Sequence, residues 1–256
     1  MNEAPALVVL RCRDADDALD ELAAALGERL GVVPRAIGSP PARAAGGADA
    51  DLAASRGCLL EAGGQLEDAL GAGRRLELLA GDAAIALTTL PTLARLRPDA
   101  RVLWLDAHAC FDTPERAPGQ PLARMALSGA CGYWDSGLPG VIDPRRVVCC
   151  GTRVLRPAER ELLERARVTV IGTTLETLVY VQNALDGAAT YVHLDLDVID
   201  PEELARPDGI PEGLTAEKVL DLLDAVADTC EVLGVQVTGP APGTAAVVAD
   251  LLAPLA

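Results

Sequence analysis

Short apolar runs alternate with amphipathic segments along most of the chain. The runs are rich in Val, Leu and Ile and have the length of strands, whereas the segments between them space their apolar residues as helices do. Strands are predicted at residues 6–10, 31–36, 76–80, 102–106, 147–150, 168–171, 191–197 and 232–237. Because strands that alternate with helices form parallel sheets covered on both faces, we predict an α/β fold with a mostly parallel sheet of about eight strands.

The segments between the strands predict eight helices, at residues 15–30, 65–75, 84–95, 121–128, 158–167, 174–186, 216–228 and 244–252. Residues 38–57 are rich in Ala, Gly, Pro and Arg, which predicts a loop with a short helix near 49–55. We find no internal repeat and no linker composition that would divide the chain. We therefore expect a single domain over residues 1–256.

Composition narrows the class of partner. Lys and Arg total 22 against 38 Asp and Glu, which gives a formal net charge of −16. An acidic chain repels nucleic-acid phosphates, so we expect no nucleic-acid partner. No apolar run reaches the length of a membrane span, and the first residues lack the pattern of a signal peptide. The seven cysteines have no zinc-knuckle spacing, so we expect reduced thiols and a cytoplasmic location.

Metal-ligating residue types follow two of the predicted strands. Asp106, His108 and Cys110 alternate after one apolar run, and Asp195 and Asp197 follow another. Side chains two apart share a face of an extended chain, and parallel sheets place their sites beyond the carboxyl ends of strands. Carboxylates and an imidazole are ordinary ligands for zinc or manganese. The pattern therefore predicts a divalent metal site at this edge of the sheet.

Each motif also has a purely structural interpretation. Asp106 and His108 would fit a hydrogen-bonded turn at a strand end, and Asp195 and Asp197 would fit an Asx-type turn. Three carboxylates that converge without a cation would raise one another's pKa values. Arg153 is a candidate for neutralising them in place of a metal ion. The two interpretations stay open at this point.

His193 is the other histidine of the chain and shares its predicted strand face with Asp195 and Asp197. We expect it to pack beneath the site or to support a ligand. It would become a ligand itself only if the strand bent toward the cation.

Four segments resemble motifs of the arginase–agmatinase (ureohydrolase) family. Residues 102–115 resemble its D-A-H-x-D-x-N-T-P segment, and residues 191–201 are similar to its strand ending D-x-D-x-x-D-P. Residues 79–84 are similar to its G-G-D-H-S turn, and residues 211–215 to its G-G-L-T. The resemblance implies a three-layer α/β/α fold and a homo-oligomer. It also implies a dinuclear manganese site that activates water for attack on a guanidinium carbon, which releases urea.

The resemblance assigns four retained metal ligands: Asp106, His108, Asp195 and Asp197. They include the whole ligand set of one of the family's two metals. The other metal depends on a His that is Ala83 here and on an Asp that is Cys110. We therefore expect one divalent ion, manganese or zinc, with water activation by Asp106, His108 and Asp195. Cys110 is a candidate additional ligand whose soft sulfur would favour zinc.

Three candidate substrate-binding residues also follow from the resemblance: Gln236, Arg156 and Asp112. Gln236 stands where the family has a Glu that holds the guanidinium, and a neutral amide holds this cation less well than a carboxylate. Arg156 lies near the position of an Asp that binds the α-amino group, and Asp112 replaces an Asn near the α-carboxylate. The family's proton-shuttling His falls near Pro118. We therefore expect inefficient hydrolysis of free arginine.

Three functions remain open on these residues. The first is a metal-dependent hydrolase that acts on a C–N bond of a small molecule, in an amide, an amidine or a modified guanidino group. The second is a catalytically silent arginase-fold protein with a structural, binding or assembly role. The third is a thiol enzyme with Cys110 as nucleophile, although a buried, inert thiol explains this residue more simply. The retained ligands favour the first function slightly over the second.

Overall fold

Eight parallel strands form one sheet in the computed structural model, which describes residues 4–11, 17–38, 47–206 and 209–255. In chain order they are β1 (Ala6–Leu10), β2 (Arg35–Ile37), β3 (Leu76–Ala80), β4 (Arg101–Leu105), β5 (Val147–Cys150), β6 (Thr169–Ile171), β7 (Thr190–Asp195) and β8 (Val232–Thr238). The spatial order is β2-β1-β3-β8-β7-β4-β5-β6. The predicted parallel sheet is confirmed, with β2 displaced from its predicted position at 31–36.

The helices of the described residues cover both faces of this sheet. They are α1 (Asp17–Leu30), α2 (Gly47–Gly71), α3 (Ala86–Leu96), α4 (Ala126–Ala130), α5 (Pro157–Ala166), α6 (Thr177–Leu185), α7 (Ala216–Thr229) and α8 (Ala245–Leu251). Helices α2 to α5 share one buried core with the sheet, and α1, α6, α7 and α8 share the other. Three layers result, as the alternation of the pattern predicted. None of these helices combines the length and apolar character that a bilayer span requires.

Helix α2 corrects the prediction for residues 38–57. A single helix of 25 residues begins at Gly47 and continues to Gly71, where the sequence predicted a loop, a short helix near 49–55 and a separate helix at 65–75. Residues 39–46 lie outside the described part of the chain. Glycine lowers helix propensity, but it also lets two helices approach closely. A Cβ at Gly63 would lie only 3.0 Å from the hydroxyl of Thr92 on α3, so packing overrides local propensity here.

The cysteines do not share one chemical state. Cys58 on α2 is disulfide-bonded, whereas free thiols in the described ranges are found at Cys110, Cys131, Cys149, Cys150 and Cys230. The expectation of reduced thiols throughout is therefore wrong at Cys58. Which thiols meet depends on distances between Cα atoms that a sequence does not contain.

The centre of the sheet places the candidate site. Strand β7 lies between β8 and β4, and its register pairs His193 with Gln236 on β8 and with Trp104 on β4. Asp195 ends β7, and Asp106 directly follows β4. Carboxylates thus form a row at the carboxyl edge, with the row of Gln236, His193 and Trp104 directly beneath it.

Candidate metal centre

The chain turns immediately after β4 instead of continuing as an extended strand. Oδ1 of Asp106 accepts a hydrogen bond of 2.6 Å from the backbone N–H of His108, which closes an Asx-type turn. His108 then forms a parallel bridge with Val154, next to β5. Cys110 adopts a left-handed backbone, with φ of 51°. The side chains that a strand would have aligned are therefore positioned by a turn.

A second turn follows β7 and is joined to the first. Oδ1 of Asp195 accepts from the backbone N–H of Asp197 at 3.0 Å, where one turn of 3-10 helix begins (Leu196–Val198). Oδ1 of Asp197 accepts from the backbone N–H of Ala107 at 2.9 Å. The predicted Asx-type turn is present, and both of its carboxylates lie close to Asp106 of the first turn. The structural and metal-binding interpretations are thus compatible.

Three side chains from these turns form what we term the His108 group: Asp106, His108 and Asp197. One candidate ligand atom from each lies within 4.8 Å of the others. Nδ1 of His108 is 2.7 Å from Oδ2 of Asp197 and 3.5 Å from Oδ1 of Asp106. The His108 side chain is 15% exposed, so the group is buried but open to solvent on one side. Asp195, the fourth predicted ligand, lies outside this group.

The electrostatics of the carboxylates favour a positive charge among them. Burial and the neighbouring Asp197 and Asp106 raise the pKa of Asp195 well above its ordinary value. Burial opposes charge on His108, but hydrogen bonds to Asp106 and Asp197 outweigh this effect and raise its pKa to about 9. In the absence of a metal ion, the protonated imidazole of His108 therefore places a positive charge among the carboxylates. A divalent cation would supply more of it, so the residues fit a metal ion.

Arg153 forms no direct ion pair with the carboxylates among the described residues, although the charges of Asp197 and Asp106 act on its guanidinium. Its guanidinium donates to backbone carbonyls of the adjoining loops, including those of Asp197 at 2.7 Å and Ile210 at 2.6 Å. These hydrogen bonds stabilise the backbone of the adjoining loops and do not involve the carboxylate oxygens of the site.

His193 lies beneath the carboxylate row, as the sequence predicted, but it also faces the carboxylates. Its ring stacks on Trp104 with centroids 3.6 Å apart, and its Nδ1 is 2.7 Å from Nε2 of Gln236. Its Nε2 has no hydrogen-bond partner among the described residues and is 3.8 Å from Oδ2 of Asp106. Candidate ligand atoms of Asp106, His193 and Asp195, which we term the His193 group, lie within 4.8 Å of one another.

The sequence contains one signal that His193 lies close to the carboxylates. The chain has only two histidines, and both lie within two residues of a predicted carboxylate ligand. Histidine that is rare overall and concentrated next to carboxylates is typical of a site rather than of a core.

Two of the three predicted substrate-binding residues, Gln236 and Asp112, are buried. Gln236 is fully buried, and its Oε1 accepts from the hydroxyls of Thr89 at 2.7 Å and Tyr191 at 3.3 Å. Arg156 is half-exposed and forms an ion pair with the buried Asp112. These two residues therefore compensate each other's charge. Direct contact of Gln236, Arg156 or Asp112 with a substrate stays a prediction.

Cys110 is shielded rather than activated. Its side chain is buried, and its Sγ donates to Oδ2 of Asp106 at 3.4 Å. Burial, with the neighbouring carboxylates, raises the pKa of the thiol well above its usual value. A nucleophilic thiolate requires the opposite shift, which argues against the thiol-enzyme hypothesis.

An Asp/His turn after β4 and an Asp/Asp turn after β7 lie at one edge of the sheet in this three-layer α/β/α fold, an arrangement similar to that of the ureohydrolase class. The model of the arginase family matches residues 38–251, and the chain belongs to this family. Members of the family are hydrolases that depend on divalent metal ions. The predicted family and arginase-like fold are therefore confirmed.

Three individual proteins of known name are similar to this chain. The chain is 32% identical over 204 residues to N(omega)-hydroxy-L-arginine amidinohydrolase of Streptomyces lavendulae, over 80% of this chain and 75% of the relative. It is 30% identical to an arginase of Schizosaccharomyces pombe, over 62% of this chain and 54% of the relative. Among solved structures, arginase from Bacillus subtilis superposes with a TM-score of 0.86 at 19% identity, covering 99% of this chain and 98% of the other.

Proposed function

We propose that the protein is a metal-dependent hydrolase of a C–N bond in a small molecule that carries an amidino or modified guanidino group. The His108 group is the observation that carries this proposal. Two turns from adjacent strands bring two carboxylates and an imidazole within 4.8 Å of one another. The set matches the ligands that zinc and manganese take in proteins.

Asp106, His108 and Asp197 would hold the ion, with Asp195 beside them. When bound, a divalent cation supplies Lewis acidity, which lowers the pKa of a water molecule and stabilises negative charge on the substrate. The protein's contribution is orientation. One oxygen of each carboxylate already accepts a backbone N–H, from His108, Asp197 and Ala107, so little reorganisation is needed on binding.

The choice of substrate class rests on the amidinohydrolase relative and on the changed polar residues around the site. That relative acts on Nω-hydroxy-L-arginine by its name, and we extend a substrate with a modified guanidino group to this chain. By the family resemblance, Gln236 stands where a Glu would hold the guanidinium, and a neutral amide would hold the unmodified guanidinium of free arginine less well than a carboxylate. Arg156, which by the same resemblance lies near the α-amino position, is paired with Asp112. We therefore expect little hydrolysis of free arginine.

Metal content and turnover test the proposal together. Wild-type protein should retain manganese or zinc, as measured by elemental mass spectrometry. It should also release urea or ammonia from at least one compound in a panel of arginine, agmatine, Nω-hydroxy-L-arginine and simple amides and amidines. Asp197→Asn should lose turnover, because it removes a ligand while keeping an acceptor for the backbone N–H of Ala107. The matched control is Asp250→Asn on the surface, where the carboxylate pairs with exposed Arg29.

Two outcomes would contradict the proposal in different ways. Metal binding without turnover on the whole panel would support the silent arginase-fold protein instead. Absence of stoichiometric metal after reconstitution would remove metal-dependent hydrolysis altogether.

A further inference from the structure

We propose that the His193 group is a second metal-binding site, in which His193 and Asp195 hold a zinc or manganese ion that shares Asp106 with the His108 group. This inference rests on the proposed function and deepens it, since it makes the centre dinuclear. The imidazole of this site comes from the middle of the sheet, one row below the carboxylates.

The first argument is the orphaned nitrogen of His193. Its Nε2 is completely buried and lacks a hydrogen-bond partner among the described residues. A buried polar atom that is left unpaired keeps its full desolvation penalty, so such atoms are rare in folded proteins and call for an explanation. The 3.8 Å between Nε2 and Oδ2 of Asp106 is too long for a hydrogen bond but suits two donors that share one ion.

The second argument is the rigidity of the imidazole. Stacking on Trp104 fixes the plane of the ring, and the register of β7 with β4 and β8 fixes the backbone that carries it. Trp104 also donates its indole N–H to Oδ2 of Asp106 at 3.1 Å. One tryptophan thus orients two of the three ligands, as supporting residues do around metal sites.

The third argument is that Gln236 can support both forms of His193. An amide nitrogen only donates, so with Nε2 of Gln236 at 2.7 Å, Nδ1 of the imidazole accepts and its proton is on Nε2. A half-turn of the amide lets Oε1 accept from Nδ1–H instead and frees the Nε2 lone pair of His193 for an ion. The amide nitrogen then donates to the hydroxyls of Thr89 and Tyr191, which can accept as well as donate.

The fourth argument is charge. One cation in the His108 group would leave Asp195 as a buried carboxylate whose hydrogen bonds come from neutral donors, the backbone N–H of Asp197 and the hydroxyl of Thr238. Arg206 acts on this carboxylate through its charge, but the hydrogen bond of its guanidinium goes to the carbonyl of Gly239. An ion between Asp195 and Asp106 would compensate the remaining charge directly.

Metal stoichiometry and histidine tautomers test the second site without any assay of activity. Wild-type protein dialysed against zinc should bind about two ions per chain by elemental mass spectrometry, and His193→Asn should bind about one. Asp197→Asn, which affects the His108 group, should also bind about one, and the surface control Asp250→Asn should bind two.

Imidazole ¹⁵N NMR of the wild-type protein provides a second measurement in case His193→Asn fails to fold. The chain has only two histidines, and His108→Asn assigns their signals. Zinc should move the His193 proton from Nε2 to Nδ1. Two results would overturn the second site but leave the proposed function standing. The wild-type protein could bind only one zinc ion, with that ion still bound in His193→Asn, or the His193 ring could keep its Nε2–H at saturating zinc. A wild-type protein that binds neither zinc nor manganese would overturn both.

Discussion

The three carboxylates of the centre illustrate how individual side chains combine structural and chemical roles. Asp106 and Asp195 each close a turn with the residue two positions later, and Asp197 joins one turn to the other. The second oxygen of Asp197 lies 2.7 Å from His108 Nδ1 and that of Asp106 lies 3.8 Å from His193 Nε2, whereas the second oxygen of Asp195 accepts from the hydroxyl of Thr238. Because one oxygen is fixed by backbone, the other is oriented before any ligand arrives, at the expense of repulsion among buried charges.

A buried glutamate outside the site tests how strongly burial raises the pKa of a single carboxyl group. Burial raises the pKa of Glu77 on β3 to about 7, although Arg75, 3.2 Å away, acts in the opposite direction. The folded state therefore binds this proton more tightly than the unfolded state, and the free energy of unfolding falls as pH rises from about 4.5 to 7. Glu77→Gln removes the titration, so it should be more stable than wild type at pH 8 by up to about 3 kcal/mol.

Urea denaturation of both proteins at pH 5 and pH 8 measures this effect, and the difference should be much smaller at pH 5. Glu67→Gln is the matched control, because its exposed pair with Arg95 should contribute less than about 1 kcal/mol at either pH. Equal destabilisation by Glu77→Gln at both pH values would show that its contact with Arg75, and not the cost of its charge, dominates.

At the scale of elements, the site depends on where strands stop. Strand β4 ends at Leu105 and β7 at Asp195, so their turns rise from adjacent strands at one edge. Helices cover both faces of the sheet, so a functional site is expected at the carboxyl edge of the strands. The element that departs most from prediction, α2, packs on α3 and stabilises the core on the same face as Trp104.

Two adjacent glycines in α2 should respond oppositely to alanine. A Cβ at Gly63 would lie 3.0 Å from the Thr92 hydroxyl and 3.3 Å from the Thr88 carbonyl, whereas a Cβ at Gly64 would meet open space. Gly64→Ala should therefore stabilise the protein by about 0.5–1 kcal/mol through helix propensity. Gly63→Ala should destabilise it by about 1–3 kcal/mol through overpacking. Thermal and urea denaturation measure both, and a similar response from the two variants would contradict the close α2–α3 contact.

At the scale of the molecule, metal binding should couple to folding, because unfolding disperses ligands that come from distant parts of the chain. Manganese or zinc at 100 times its dissociation constant should stabilise the fold by about 2.7 kcal/mol per site. Thermal denaturation with metal and with chelator measures this coupling.

Asp195→Asn should separate the effect of charge from that of metal. The variant keeps acceptor and donor positions for Asp197 and Thr238 but removes one buried carboxylate, so its chelated form should melt above chelated wild type. Its gain in melting temperature on adding metal should shrink. A lower melting temperature in chelator would show that repulsion among these carboxylates is not a significant cost.

Local patterns in the chain were enough to predict the parallel α/β architecture, the carboxyl edge of the sheet as the place of the site and the carboxylates at that edge, because hydrophobic periodicity and strand-end motifs are local properties. The three-dimensional structure was needed to show that Arg156 pairs with Asp112 and that α2 is continuous. It also decided that His193 faces Asp106 between Trp104 and Gln236. These relations join residues from separate strands and helices, and they depend on register and packing, which no local pattern in the chain specifies.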